Sequence, residues 1–530
     1  MDGALFGTET EYACAGSLSP AEAAIRVKDG VFAGRKFGLI EPAPREWGEV
    51  PGNGGFLFNG GRLYLDSGHL EYATPECRSL RDIVAAERAG DLILTQTVAE
   101  LGLQNEVFFI RNNTDHFGHT YGYHENYCLR VSPRSRDMVQ GLLPFLVTRQ
   151  LFAGAGMIAP ASLRGRSGSS GTRDLRALAA LALPAPASGR SRGAAPPVPY
   201  HISQRAAFVS VDVSHRVRFG GRPILNLRDE PLAGGRFRRL HIIIGDANRS
   251  EYATALKLGT TALVAQLLEL GWDPELELEN PVAALKEIAR NPFGGWTVRL
   301  ARGGTIPAVE VQRVYLLEAT KRFLGRDRDT DWTLRQWATI LNGLEMDPLR
   351  LEGFVDWVTK YHQLASYAQK AEKGWDDPAL IKLDLAYHHI EPSVSLYTLL
   401  CKQGKMPALV DDERVERATQ QPPSDTRAAG RGHVVRAMAE ARADEAIRWE
   451  VLARRLGERA VWGDERFVVY EYVDDWRDIR DTGAWHIIPY LIDWGAVAVR
   501  DHVLELPDPF LDYAEESERF GKSLPALLRR

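Results

Sequence analysis

The segment Arg62-Leu63-Tyr64-Leu65-Asp66-Ser67-Gly68-His69-Leu70-Glu71-Tyr72-Ala73-Thr74-Pro75-Glu76 brings a guanidinium, a phenol and several carboxylates into one short run. It opens as a strand, where alternate side chains share a face. Arg62, Tyr64 and Asp66 then project to one side, and Leu63 and Leu65 to the other. A buried sheet face bearing Arg, Tyr and Asp must be hydrogen-bonded, charge-paired or metal-bound, because an isolated buried charge costs too much. The pattern therefore marks a site rather than plain core. A second strand, expected over Leu5–Tyr12, places Glu9 and Glu11 on one face. Hard divalent cations such as magnesium take oxygen ligands, typically carboxylates together with substrate phosphates. Two carboxylate strands side by side would supply them, whereas two solvated edge strands would need no ion.

Further polar groups recur downstream. His124 and Asn126 share a strand face in Tyr121-Gly122-Tyr123-His124-Glu125-Asn126-Tyr127 and suit either a phosphate or amide contact or an internally bonded polar strand. Arg205 and Arg228 carry guanidinium groups suited to neutralising a polyphosphate, with a salt bridge as the bland alternative for Arg228. His241 leads an apolar strand, where a satisfied core histidine is the plainer reading. The chain has no GxxxxGK[ST] loop, no HExxH, no GxSxG elbow and no GxGxxG between strand and helix. Nucleotide chemistry here would need a cradle built from a sheet with carboxylate-held magnesium.

Several elements must position these groups. Strands are expected over Leu5–Tyr12, Phe56–Asp66, Val107–Asn112, Tyr121–Val131 and Leu240–Ile244, and a helix over Asp82–Leu101. Asn248 with Glu251 reads as a capping box opening a helix that stops near Gly271. Glu310–Gln403 is mostly helical by pattern, and Gln421–Asp425 is a break. Leu163–Pro199, rich in Gly, Ser, Ala, Pro and Arg, reads as a mobile insertion. The length of 530 residues suggests more than one domain. A net charge of −5 argues against bulk nucleic-acid binding. The four cysteines form no CxxC pair, so a zinc knuckle or disulfide framework is not expected. The start lacks an export signal, and the apolar stretch Ile487–Val499 is interrupted by Asp493. The expectation is a cytoplasmic protein without membrane or nucleic-acid partners.

Taken in order, these motifs resemble the Pup ligase and Pup deamidase/depupylase family, the proteasome accessory factors, whose fold is similar to glutamine synthetase. The resemblance rests on Gly7–Tyr12, Asn59–Asp66, Glu71–Glu76, Tyr121–Tyr127, Ser203-Gln204-Arg205, Asn226–Pro231, Arg238–Asp246 and Pro422–Arg427, and covers roughly residues 1–455. It implies an α+β fold: a curved antiparallel sheet forming a cradle backed by helices, with a smaller C-terminal domain. The division expected is a catalytic domain over 1–420, containing the 163–199 insertion, and a C-terminal domain with an extended acidic tail over 421–530. By motif position Glu9, Tyr64 and Glu71 resemble the magnesium ligands, with Glu11 and His241 as further members of the cluster. Arg62 and Thr74 resemble ATP contacts, Trp449 resembles a nucleotide-contacting tryptophan, and Asp66 resembles the catalytic aspartate. The implied cofactors are ATP and Mg2+. The implied partners are Pup, an acidic disordered ubiquitin-like modifier, and pupylated proteins, with a functional link to the proteasome.

Two features are similar to the hydrolytic branch of the family. Glu71 follows Asp66 by five positions, where the ligase branch has one residue more, and Ile244–Asn248 with Leu256–Val264 looks like the depupylase. Leu70 stands where a proline is usual, and the interval Tyr12–Asn59 is short for the depupylase's first loop. The activity expected is ATP- and magnesium-dependent hydrolysis of the side-chain amide at the C-terminal residue of Pup, by deamidation or by cleavage of the isopeptide bond to lysine. The alternatives are a Pup–protein ligase, joining a C-terminal glutamate of Pup to a lysine with ATP hydrolysis, and a non-catalytic Pup- or nucleotide-binding regulator.

Overall fold

The computed structural model describes residues 1–44, 50–160, 199–214, 221–227, 236–293, 295–449, 452 and 488–528. All of the expected insertion except Pro199 lies outside these residues, as does Arg228. The chain divides into two compact units. One comprises Gly3–Phe108, Glu230–Arg239 and Val410–Arg530; the other comprises Met1–Asp2, Phe109–Asp229 and Leu240–Leu409.

The first of these, the cradle unit, is built on strands β1 (Phe6–Gly16), β2 (Gly38–Ile40), β3 (Gly54–Leu57), β4 (Arg62–Asp66) and β5 (His69–Ala73). Their lateral order is β2-β3-β4-β5-β1, every neighbour antiparallel. Where the sequence predicts one strand over Phe56–Asp66, the structure makes two. Gly60 reverses the chain at φ 80°, and Asn59 accepts the Gly61 amide on its side-chain oxygen. Ser67 and Gly68, at φ 50° and 88°, close the tight β4–β5 hairpin, a turn whose backbone suits the twist of the strands it joins.

Alternation gives the sheet two characters. Thr8, Thr10, Tyr12, Leu63, Leu70 and Tyr72 are buried against helices α1 (Pro20–Phe32) and α2 (Leu80–Glu100). Ser19 caps α1 by accepting the Glu22 amide, Pro20 supplies a first-turn φ that suits a helix, and Ser79 caps α2 by accepting the Asp82 amide. Two bonds pin α2 to β1: Thr8 Oγ1 donates to Glu87 and Tyr12 Oη donates to Asp91, both at 2.9 Å. Gly90 of α2 lets the Tyr72 ring lie against the helix backbone, since a Cβ there would meet the ring at 2.4 Å. The opposite face carries the ionisable groups.

The C-terminal part of this unit has helix α3 (Arg427–Glu440), strands β6 (Tyr490–Ile492), β7 (Ala496–Val499) and β8 (His502–Glu505), and helix α4 (Ala514–Leu528). Its described residues share their core with the cradle strands. Leu39, Phe56 and Phe58 share one apolar cluster with Val434, Met438, Tyr490, Val497, Phe520 and Leu524. Val410–Arg530 and Gly3–Phe108 fall in the same compact unit. Glu76 adds an ionic tie to α3. Its carboxylate accepts from Arg427 Nε at 2.7 Å, and from Arg431 through both terminal nitrogens.

In the helical unit, Tyr123–Leu129 neighbours Leu240–Ile242, which neighbours Arg222–Asn226 and then Val209–Ser214; this last pair is parallel. The helix Glu251–Glu269 is buried along most of its length. The expected capping box at Asn248 does not form. Ser250 is the N-cap instead, because the buried Asp356 carboxylate takes the Asn248 side-chain amide and the backbone amides of Arg249 and Ser250. The helix stops where expected, with Gly271 at φ 76°. Among the described residues no helix is long and apolar enough to cross a membrane. The architecture is α+β, as the sequence led us to expect.

Candidate active site: a carboxylate cradle

Strand register decides which charges meet. Glu11 lies opposite Glu71, and Glu71 opposite Tyr64; Glu9 lies opposite Ala73, and Ala73 opposite Arg62; Asp66 lies opposite His69. Residues in register point to the same side of a sheet. Glu9, Glu11, Arg62, Tyr64, Asp66, His69 and Glu71 therefore share one face. One oxygen each from Glu11, Asp66 and Glu71 lie within 4.8 Å of one another.

This concentration of negative charge is expensive. Burial drives the Glu71 carboxyl well above the ordinary carboxylate range, and the charges of Glu9, Glu11 and Asp66 push it further; a hydrogen bond from Tyr64 gives partial relief. Glu71 Oε2 is buried and has no hydrogen-bond partner among the described residues. The Tyr64 phenol is also pushed well above its usual value, first by burial and then by Glu71 and Glu9, so it stays neutral. His69 Nδ1 lies 3.4 Å from Glu11 Oε2, and that contact raises the imidazole pKa. Arg239 donates to Glu9 Oε1 at 2.9 Å. Arg62 reaches toward Glu41 at 3.5 Å and lies 4.5 Å from the centre of the Tyr64 ring. Its Nε is buried without a hydrogen-bond partner among the described residues.

An all-oxygen donor set with an orphaned buried carboxylate oxygen is what a hard divalent cation relieves. The residues present fit magnesium: Glu11 and Glu71 as carboxylate ligands with Asp66 within reach, Glu9 one row along the same face, and the neutral Tyr64 oxygen beside Glu71. Asp66 is half-buried at the end of β4, where Ser67 Oγ donates to its Oδ1 at 3.1 Å.

The remaining sequence-derived candidates lie elsewhere or do something local. Thr74 is buried, and its hydroxyl oxygen accepts the Thr8 amide at 2.9 Å, so it fastens the chain after β5 to β1. Trp449 is 39% exposed and its ring lies over Gly52, where an added Cβ would come within 3.2 Å of it. Arg205 belongs to the helical unit, where its guanidinium donates to the carbonyls of Ile243 and Tyr121. His241 is also in that unit, opposite Asn226, with its ring edge-on to His124 at 5.1 Å. Sequence reasoning passed over His69, Arg239 and Glu41. His69 stands two residues before Glu71, so alternation alone puts it on the site face. Arg239 sits inside a motif already singled out. Glu41 had no local signal.

A family model described as Pup-ligase protein matches residues 4–453. The Pup–protein ligase of Acidimicrobium ferrooxidans is 40% identical over 409 residues, covering 74% of this chain and 82% of that protein. The Pup–protein ligase of Pseudarthrobacter chlorophenolicus is 35% identical over 480 residues, 87% of this chain and 94% of that one. The depupylase of Acidothermus cellulolyticus is 40% identical over 387 residues, 71% of this chain and 70% of its own. Among solved structures, the complex of Pup with its ligase PafA matches with TM-score 0.73 and 28% identity over 99% of this chain and 92% of that one. PafA in complex with ADP matches with TM-score 0.67 and 29% identity over 89% and 90%.

These findings overturn the hydrolytic expectation. Apart from the depupylase, the relatives compared at 35–40% identity are named Pup–protein ligase, and the two structures compared above are of the ligase. The Asp66-to-Glu71 spacing misled for a physical reason. Hairpin length sets the turn between β4 and β5, while register alone sets which carboxylates face the site. Loop length carries no information on whether an amide bond is made or cut.

Proposed function

The chain belongs to the Pup ligase family, and on that premise we propose that it joins the side-chain carboxylate of a C-terminal glutamate on Pup to a lysine of a target protein, with ATP as the energy source. The observation that carries this reading is the shared face of Glu9, Glu11, Asp66 and Glu71, in a chain whose likeness to the Pup-bound ligase spans almost its whole length.

A carboxylate is a poor acceptor for an amine, so it must first be activated. Transfer of the γ-phosphoryl group to the glutamate side chain releases ADP and leaves an acyl phosphate. The lysine amine then attacks the acyl carbon, the C–N bond forms, and inorganic phosphate leaves. One proton must come off the attacking nitrogen. Asp66, on the same face as the magnesium-type carboxylates, is the group we assign to take it. Glu9, Glu11 and Glu71 would hold magnesium, which when bound offsets the charge of the nucleotide phosphates. The Arg62 guanidinium, with its buried unpartnered Nε, faces the same side and suits a phosphate oxygen. On this reading the partners are Pup and the lysine-bearing proteins that it marks for the proteasome, and the setting is cytoplasmic.

The test is direct. Pup ending in glutamate, Mg-ATP and a lysine-bearing protein are incubated with the enzyme, and mass spectrometry looks for an isopeptide conjugate with matching ADP release. The expected result is one ADP per conjugate; binding of Pup and nucleotide without conjugate would refute the ligase reading.

A further inference from the structure

Glu9 differs from the other carboxylates of this face in the partner it has. Arg239 Nη2 lies 2.9 Å from Glu9 Oε1, and the two side chains are 9% and 14% exposed. Both residues belong to the cradle unit. Glu9 sits on the face of Glu11 and Glu71, one row along the sheet. Its charge is among those that act on the buried Glu71 carboxyl. A guanidinium fixed in this position supplies a permanent positive charge where the chemistry of the face calls for a cation. It also occupies a carboxylate that a metal would use. The two roles oppose each other: the same contact steadies the metal-free cluster and holds back a ligand from the ion.

We propose that Arg239 is a built-in stand-in for magnesium, holding Glu9 while the site is metal-free and competing for it as metal binds. The competition sets the free magnesium concentration at which the site fills. The inference rests on Glu9 being a magnesium ligand, and its test separates the two ideas. Charge pairs this close and this shielded are coupled strongly enough to shift a binding midpoint.

The experiment follows unfolding temperature against magnesium concentration, without nucleotide, for wild type, Arg239→Gln, Glu9→Gln and the double variant. Arg239→Gln is expected to lower the metal-free unfolding temperature and to reduce the half-saturating magnesium concentration by roughly three- to tenfold. Glu9→Gln is expected to raise that concentration, and adding Arg239→Gln to it should change nothing further. If Glu9→Gln leaves the midpoint unmoved, the ligand assignment fails and the stand-in falls with it. If Glu9→Gln weakens magnesium but Arg239→Gln does not tighten it, the ligand assignment stands and the stand-in is refuted. A tightening of equal size in the Glu9→Gln background would also refute it, because the effect would then be a general field rather than a contact. Should Arg239→Gln not fold without metal, Arg239→Lys gives the same comparison. It is expected to shift the midpoint the same way by less, and no shift refutes the proposal.

Discussion

Glu76 joins the cradle to α3, and replacing it by glutamine should loosen the two together. Its carboxylate is 13% exposed and lies between Arg427 and Arg431. Burial pushes its pKa up, but the guanidinium groups of Arg431 and then Arg427 outweigh burial and hold it at about 2, against an ordinary 4.5. At 1.36 kcal/mol per pKa unit that difference is worth about 3 kcal/mol. A second route agrees: removing one partner from a buried ion pair costs about 3–5 kcal/mol, because the other charge is left buried and uncompensated. Burial also draws Arg431 below its usual value, yet a guanidinium does not lose its proton in a protein, so the pair stays ionic at neutral pH. The sign follows from linkage. A carboxylate with a depressed folded pKa adds stability that is complete above its unfolded value and disappears as pH falls toward its folded value. Glu76→Gln should therefore cost about 3 kcal/mol near pH 7, with the difference from wild type shrinking from about pH 5 downward and nearly gone by about pH 2. Urea unfolding with hydrogen exchange read on α3 and β6 measures this in the relevant unit. A loss under about 1 kcal/mol, or one that does not change with pH, would refute the reasoning.

Other expectations concern the site face itself. Without metal, the raised Glu71 pKa makes the folded state bind more protons than the unfolded chain above about pH 4.5, so unfolding temperature should fall as pH rises; Glu71→Gln or added magnesium should flatten the curve, and an unchanged slope would count against the cluster. Asp66→Asn should lower conjugation by about 10²–10⁴-fold while leaving ADP affinity within a few-fold in a fluorescence titration; full activity would remove Asp66 from the mechanism. Gly90→Val should cost about 1–3 kcal/mol, since its Cβ would meet the Tyr72 ring at 2.4 Å; because Tyr72 precedes Ala73 and follows Glu71, magnesium binding should weaken as well, and a neutral result in thermal unfolding would show that the packing is slack.

The face of the site was legible in the sequence because its information is local. Period-two alternation puts Arg62, Tyr64 and Asp66 together, and Glu9 with Glu11, without knowledge of any partner strand. Register was not legible. That Glu11 meets Glu71, or that His69 lies across from Asp66, depends on the Ser67-Gly68 turn and on long-range pairing. Arg239 reaches Glu9 across more than two hundred positions in the chain, and no periodicity encodes such a meeting. The Asn248 cap failed for the same kind of reason: a distant carboxylate, Asp356, outcompeted the local motif. The break at Gln421–Asp425 is a local signal, whereas the packing of α3 side chains on Leu39, Phe56 and Phe58 is long-range and leaves no mark in the sequence. The direction of the chemistry was not legible because making and cutting an amide can use one set of carboxylates.

The most direct measurement is anomalous diffraction from crystals of this protein soaked with Mn2+ and a non-hydrolysable ATP analogue. A manganese peak is expected within bonding distance, about 2.0–2.3 Å, of a carboxylate oxygen of Glu71 and of Glu9 or Glu11. Bound nucleotide with its metal ligated by none of these three residues would contradict it.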